Sequence, residues 1–344
     1  MKNTFCALLA VLCCQFAFAQ QQESLLNLGI ETRADYQREY IDGDAINDNC
    51  GFKGKYLNIR MDGRINDKLT YSYRQRLNKA HKDNSFFDAT DWLYLKYQMD
   101  EHWALSAGKQ VVAIGGYEYD RAPIDLYFCS EYWNNIACYQ FGLNLTYTFN
   151  DGSDQLLAQI CESPFRLPGK DMYAYNLMWY GSHGWFNTIY SVNMIEHAPG
   201  EFINYITLGN KFNARDFSLE FDVMNRAVRN QTFLLKDVSL MGELSYSPSQ
   251  KWNIFAKATY DVSSTSKTGD FCVMPGTEIT RVGAGVEYYP LDGGNKNVRL
   301  HATFNQTFGN NSNPAGVLLD EQSFVSVGLK WKVSLLSFKP NCTK

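Results

Sequence analysis

From Tyr139 to Phe149 the chain alternates without a break. Tyr139, Phe141, Leu143, Leu145, Tyr147 and Phe149 share one parity; Gln140, Gly142, Asn144, Thr146 and Thr148 share the other. A period of two belongs to a strand with one apolar and one polar face. The same alternation sets Val298, Leu300, Ala302 and Phe304 against Arg299, His301, Thr303 and Asn305, and it puts Val325, Val327, Leu329, Trp331 and Val333 on one face near the C-terminus. Applied from Ser24 onward, the pattern predicts sixteen strands. They lie near 24–37, 51–62, 68–78, 89–99, 102–110, 139–149, 154–162, 172–181, 184–194, 201–211, 214–226, 235–246, 251–261, 277–289, 297–307 and 322–333.

Alternation alone fits a β-sandwich as well as a barrel. The connections discriminate. Every second one is short and turn-like, as at Asp100-Glu101, Asn150-Asp151-Gly152, Ser247-Pro248-Ser249 and Asp292-Gly293-Gly294, and the intervening ones are longer. A membrane barrel segregates loop length by end, and a bacterial single-chain barrel has an even strand count; a sandwich has no reason for such parity. The predicted fold is therefore all-β: a transmembrane antiparallel up-and-down β-barrel of 16 strands.

The N-terminus agrees. Lys2, the apolar run Phe5–Phe18 and Ala17-Phe18-Ala19 form a signal peptide too short to span a bilayer as a helix. Cleavage after Ala19 leaves one domain, 20–344. A lipid anchor at Cys13 or Cys14 is the rival, but Leu12 or Cys13 would precede it where a small residue belongs. Export plus a barrel implies the outer membrane of a Gram-negative bacterium, with outer-membrane lipid as a partner. The mean hydropathy of −0.33 suits strands that alternate lipid-facing and water-facing residues. The net charge of −4 points to no nucleic-acid partner. The cysteine spacing matches no zinc pattern, and no cofactor or metal is expected.

One connection departs from the rest. Between Val111 and Cys138 the chain runs through Gly115-Gly116, Pro123, six aromatics (Tyr117, Tyr119, Tyr127, Phe128, Tyr132, Trp133) and a mostly acidic charge set. Loops this long are usually functional or disordered. It is expected to fold inward as a constriction loop, with Glu118, Asp120, Arg121, Asp125 and Glu131 as its charged residues. The aromatics either stack on sugar faces or pin the loop to the wall. A disulfide between Cys129 and Cys138 would close a short loop, with Cys50, Cys161 and Cys272 as competing partners.

The segment WALSAGKQ, ending at Gly108-Lys109-Gln110 and running into GGYEYDRAPIDLY, resembles the phosphate-selective porin O and P family. The resemblance implies a sixteen-stranded homotrimeric barrel, a constriction loop after the fifth strand and a lumen lined with basic side chains. The acidic balance of this chain departs from that last feature. The water-facing set supplies Arg33, Arg60, Arg74, Arg76 and Lys96 from the first four strands, and Arg281, Arg299, Lys330 and Lys332 from the last three. Closure makes these strands neighbours, so a basic arc is expected to face the acidic loop across a gap and select solutes by charge.

Catalysis is the other class weighed. Of the five histidines only His301 is placed in the lumen, with Thr303 and Asn305 beside it and no nucleophilic serine. The chain is therefore not expected to be an enzyme. The expected function is passive diffusion of small hydrophilic solutes or ions through a water-filled barrel. A substrate-specific channel for phosphate or an oligosaccharide is the alternative, and a glycan-binding β-sandwich is the alternative of another class.

Overall fold

The computed structural model describes residues 24–79, 86–149, 151–231, 235–265 and 269–339. The expected leader and Cys342 lie outside the described residues. Sixteen long strands form one sheet. They are β1 Leu26–Ile41, β2 Gly51–Arg64, β3 Leu69–Arg76, β4 Thr90–Gln98, β5 Trp103–Val111, β6 Tyr139–Thr148, β7 Asp154–Glu162 and β8 Tyr173–His183. The second half follows as β9 Phe186–Ala198, β10 Glu201–Ala214, β11 Phe217–Val228, β12 Asp237–Ser249, β13 Trp252–Ser263, β14 Glu278–Tyr288, β15 Val298–Asn310 and β16 Gln322–Phe338. A two-residue segment, Asp44–Ala45, adds a small ladder to the end of β1.

Each strand pairs antiparallel with its neighbours in sequence, and β1 also pairs with β16. The closing register runs from Leu26 opposite Phe338 to Ile41 opposite Gln322. Closure leaves no open edge, which is the condition for strands to cross a bilayer. Among the described residues no helix is long and apolar enough to cross a membrane. Loop length segregates by end as expected, with 65–68, 99–102, 149–153, 184–185, 215–216 and 250–251 short at one rim. Two connections break the parity: 199–200 is tight at the long-loop rim, and 289–297 is long at the short-turn rim.

The alternation has the predicted sense. Leu143, Leu177 and Val192 point outward and are exposed, whereas Asn144, Asn176 and Asn193 point inward and are buried. At the short-turn rim aromatic rings meet in cross-strand pairs, Trp103–Tyr147 at 4.8 Å, Phe217–Tyr246 at 4.6 Å and Trp252–Tyr288 at 4.6 Å. Amphipathic rings in such a band suit a membrane interface.

One feature is not that of a simple water-filled pipe. The inward side chains of Ala174, Ile195, Ile203, Tyr205, Met224 and Val228 are apolar and buried against Val112, Ile114, Tyr119, Tyr132 and Ile136 of the 112–138 connection. Phe165 and Cys272, from two further loops, complete this cluster. Strands β8 to β11 thus carry a packed core on the inner face near the long-loop rim. A two-state pattern of outward apolar and inward polar residues has no place for it.

Candidate functional site

The connection 112–138 leaves β5 after the Gly108-Lys109-Gln110 motif, and each residue has a local task. Gly108 takes φ 130°, and a Cβ there would meet Leu93 O at 2.2 Å, so only glycine allows this close approach. Lys109 Nζ donates to Phe87 O at 2.5 Å, tying down the β3–β4 connection. Gln110 begins a ladder of inward amides. Asn144 donates to Gln110, Gln159 to Asn144, Asn176 to Gln159 and Asn193 to Asn176, all at 2.8–2.9 Å. The ladder crosses β5 to β9 and hands its remaining valences to the loop backbone. Ala113 N donates to Gln159 Oε1 at 2.7 Å, Asn193 Nδ2 to Ala113 O at 2.7 Å and Gly115 N to Ser191 Oγ at 2.8 Å. Buried backbone groups need partners, and the wall supplies them in sequence.

Beyond Gly116 the segment holds two short helices, α1 Tyr117–Asp120 and α2 Glu131–Asn135. Each receives a carboxylate from a barrel strand at its N-terminus. Asp222 of β11 accepts from Tyr117 N at 2.9 Å and Glu118 N at 2.8 Å. Asp261 of β13 accepts from Glu131 N at 2.7 Å and Tyr132 N at 3.3 Å. The first N–H groups of a helix lack internal partners and favour an anion, so these two aspartates act as caps supplied from outside the helix.

The charged residues expected on the loop divide into two groups. Glu118 and Glu131 are buried. Glu118 meets Lys257 Nζ at 2.7 Å, and Lys257 also donates to Phe128 O at 3.0 Å. Glu131 accepts from Asn135 at 2.6 Å and from Leu318 N at 3.2 Å. Asp120, Arg121 and Asp125 keep some exposure. Arg121 bonds both oxygens of Glu243, at 2.9 and 2.8 Å, and reaches Glu220 at 2.5 Å. Asp125 is held by Arg299 at 2.9 Å and by Lys330. Burial pulls the Asp125 carboxyl upward, but Lys330 and Arg299 outweigh it and leave the group below its ordinary value. Burial likewise opposes the charge on Arg121, and the two glutamates outweigh it, raising the guanidinium above its ordinary value.

The expected gap between acidic loop and basic wall is therefore corrected at Asp125, which touches Arg299 and Lys330 of the basic arc directly, while Glu118 meets Lys257 of β13. Arg33, placed among the pore-lining bases, is buried, bonds Asp35 at 2.7 Å and donates to Leu126 O at 2.6 Å. It stacks over Tyr127 at 4.7 Å, with Arg299 at 5.1 Å from the same ring. Arg281 is buried against Asn305 at 2.9 Å and Gln322 at 3.2 Å. Arg60 bonds Asp62 at 2.6 Å, and Arg74 and Arg76 share Asp91 at 2.7 and 2.8 Å. Lys96 points inward and makes no hydrogen bond or ion pair among the described residues. Asp91 escapes a parity count because the β3–β4 register shifts between Arg74 and Gln75. A bulge of that kind turns an outward position inward.

The bridge expected between Cys129 and Cys138 is not formed. Both are free thiols, as are Cys50, Cys161 and Cys272. Helix α2 stands between them, and Cys138 packs into the apolar cluster. Burial pushes the Cys129 thiol up to about 12 and the Cys138 thiol up to about 11. His301 is buried with Nε2 at 3.1 Å from Asp35 Oδ1, beneath the Tyr127 ring at 4.7 Å.

Two cavities share Arg121. One of about 420 Å³ lies toward Lys211, Lys296 and Lys330, with Glu220 and Glu287 on its wall. The other, of about 300 Å³, lies against β3 to β8.

Comparison with known proteins agrees with this architecture. Residues 26–182 match the family described as phosphate-selective porin O and P, the span that holds the Gly-Lys-Gln motif and the loop after it. The anion-selective porin from Comamonas acidovorans is similar in fold, with TM-score 0.64 at 11% identity, over 90% of this chain and 100% of that one. OmpT of Vibrio cholerae gives TM-score 0.59 at 14% identity, covering 90% and 97%. OmpF of Salmonella typhi gives 0.57 at 15% identity, covering 90% and 98%. No curated protein matches in sequence.

Proposed function

We propose that this chain, whose residues 26–182 carry the phosphate-selective porin O and P match, is a passive outer-membrane porin for small hydrophilic solutes or ions. The observation that carries the reading is the closed 16-strand barrel with a polar inner face, partly filled by a segment whose backbone is bonded to that face. Residues 112–138 are its constriction, braced on the β8–β13 side by the apolar cluster and the aspartate caps. The passage is left to the side where Arg60, Arg74, Arg76 and Lys96 stand. Asp120, Arg121 and Asp125 are the loop's contribution to it. Such a mixed set of fixed charges at a narrowing discriminates solutes by charge and size.

The functional unit is a homotrimer. OmpT of Vibrio cholerae, similar in fold at TM-score 0.56, has been solved in a trimer form. The outward apolar face is the surface that meets lipid and the neighbouring subunits.

The test is reconstitution of the exported chain. Heat-modifiable migration in unboiled gel samples, cross-linking to a trimer and stepwise conductance in planar bilayers are the expected results. Absence from the membrane fraction, or membranes that stay insulating, refutes the proposal. Reversal potentials under a salt gradient give the sign of ion selectivity.

A further inference from the structure

We infer that the cavity on the β3–β8 side of the throat is a subsite for one ring of a neutral saccharide, an inference that rests on the porin reading above. Its volume of about 300 Å³ is bounded by Trp92, Tyr94, Tyr139 and Tyr180 from the wall and Tyr119 and Trp133 from the loop. The loop's rings also have packing work, and Trp133 rests against the apolar cluster. Tyr119 and Tyr132 pack in the apolar cluster, and Tyr127 is clamped between Arg33 and Arg299. Four of the six rings around the cavity are on strands, so loop anchoring does not account for them. Apolar Leu157 and Met178 also line it, on strands whose inward positions nearer the long-loop rim are the amide ladder. Largely apolar walls with a few placed polar groups are the usual make-up of a small-molecule site.

The charges decide the ligand class. Arg74 bonds Asp91 at 2.7 Å, a carboxylate it shares with Arg76, and Arg121 bonds Glu243 at 2.8 Å and Glu220. Asp120 is met only by the Tyr180 hydroxyl at 3.2 Å among the described residues. Each cation lining the cavity is already bonded to a carboxylate, and a phosphate or carboxylate would meet Asp120 uncompensated. An uncharged polyol meets no such cost. Its ring face lies on aromatic carbon, and its hydroxyls reach a free carboxylate oxygen of Asp120. The larger cavity across Arg121, with Lys211, Lys296 and Lys330, has the opposite character.

The test uses the refolded full chain in planar bilayers, titrated with maltotriose, maltohexaose and inorganic phosphate. Both saccharides are expected to block the ion current and to shift intrinsic tryptophan fluorescence over the same concentration range, with phosphate leaving both unchanged. Tyr94→Ala is expected to raise the half-blocking concentration about tenfold, and Asp120→Ala, which removes the carboxylate, about threefold. Heat-modifiable migration of each variant checks that the barrel has formed. Ion current that persists unblocked in saccharide, block that is indifferent to both substitutions, or preferential block by phosphate overturns this inference and leaves the porin reading standing. Absence of any ion conductance overturns both.

Discussion

Replacing Asp125 by asparagine keeps the side-chain shape and removes the carboxylate shared by Arg299 and Lys330. Arg299 retains Glu287 at 3.2 Å, so the uncompensated charge falls on Lys330, which bonds no other acid among the described residues. An ion passing about 4 Å from one uncompensated charge feels ~1 kcal/mol in bulk water and ~4 kcal/mol where the effective dielectric constant is near 20. Taking the lower value, the barrier for an anion drops by about fivefold in rate, and that for a cation rises by the same factor. The anion-to-cation permeability ratio of Asp125→Asn should therefore exceed wild type by about 25-fold in dilute salt. Reversal potentials across a salt gradient measure it. The effect should shrink near 1 M salt, where the screening length is about 3 Å against about 10 Å at 0.1 M. Acid should mimic the substitution. The Asp125 carboxyl lies below its ordinary value in the folded chain because Lys330 and Arg299 outweigh burial. Its contribution to holding the loop is thus present above the unfolded value and lost as pH falls through the folded one. Between pH 5 and pH 7 this group gives no change in wild-type selectivity. An unaltered permeability ratio in Asp125→Asn at about 0.1 M salt would refute the placement of Asp125 and Lys330 beside the ion path.

Joint replacement of Arg60, Arg74 and Arg76 by glutamine leaves Asp62 and Asp91 without their bases and should move the reversal potential toward cations; an unchanged value excludes these arginines from the passage. Lys257→Met strands Glu118 in a buried site and removes the donor to Phe128 O, which should lower unfolding stability by about 3–5 kcal/mol, read from urea titration in detergent. Gly328→Ala places a Cβ 2.2 Å from Asp35 Oδ1 and 2.7 Å from Ala34 O, so a loss of about 1–3 kcal/mol is expected in the same assay. Cys129→Ser with Cys138→Ser should leave gel mobility insensitive to reductant, as in wild type, because both thiols are free.

The strands and their order were legible in the sequence because each carries its own evidence. A two-residue period with lipid on one side and polar groups on the other marks a strand locally, and turn length marks which rim follows it. The sixteen observed strands fall where the pattern puts them, with ends displaced by a few residues, as where β12 runs on through Pro248 to Ser249. The long connection after β5 was equally plain, since its length and ring content need no tertiary information.

Which partner each charge meets was decided only by the tertiary structure. Ion pairs such as Arg121 with Glu243 and Lys330 with Asp125 join residues more than one hundred positions apart, and no local pattern encodes them. Parity failed at Asp91, where a register shift between Arg74 and Gln75 turns the side chain inward. The inner apolar core was hidden for another reason. Ile195, Tyr205 and Met224 share the inward parity with polar residues, and only the loops packed on them explain why they are apolar. The amides Gln110, Asn144, Gln159, Asn176 and Asn193 looked like ordinary water-facing positions. Closure of the barrel sets them side by side, and their hydrogen bonds carry the connection from Val111 into the lumen. Local periodicity, set by the membrane on one side of the wall, determined the barrel; the contents of the lumen were set by contacts that exist only once the first and last strands have met.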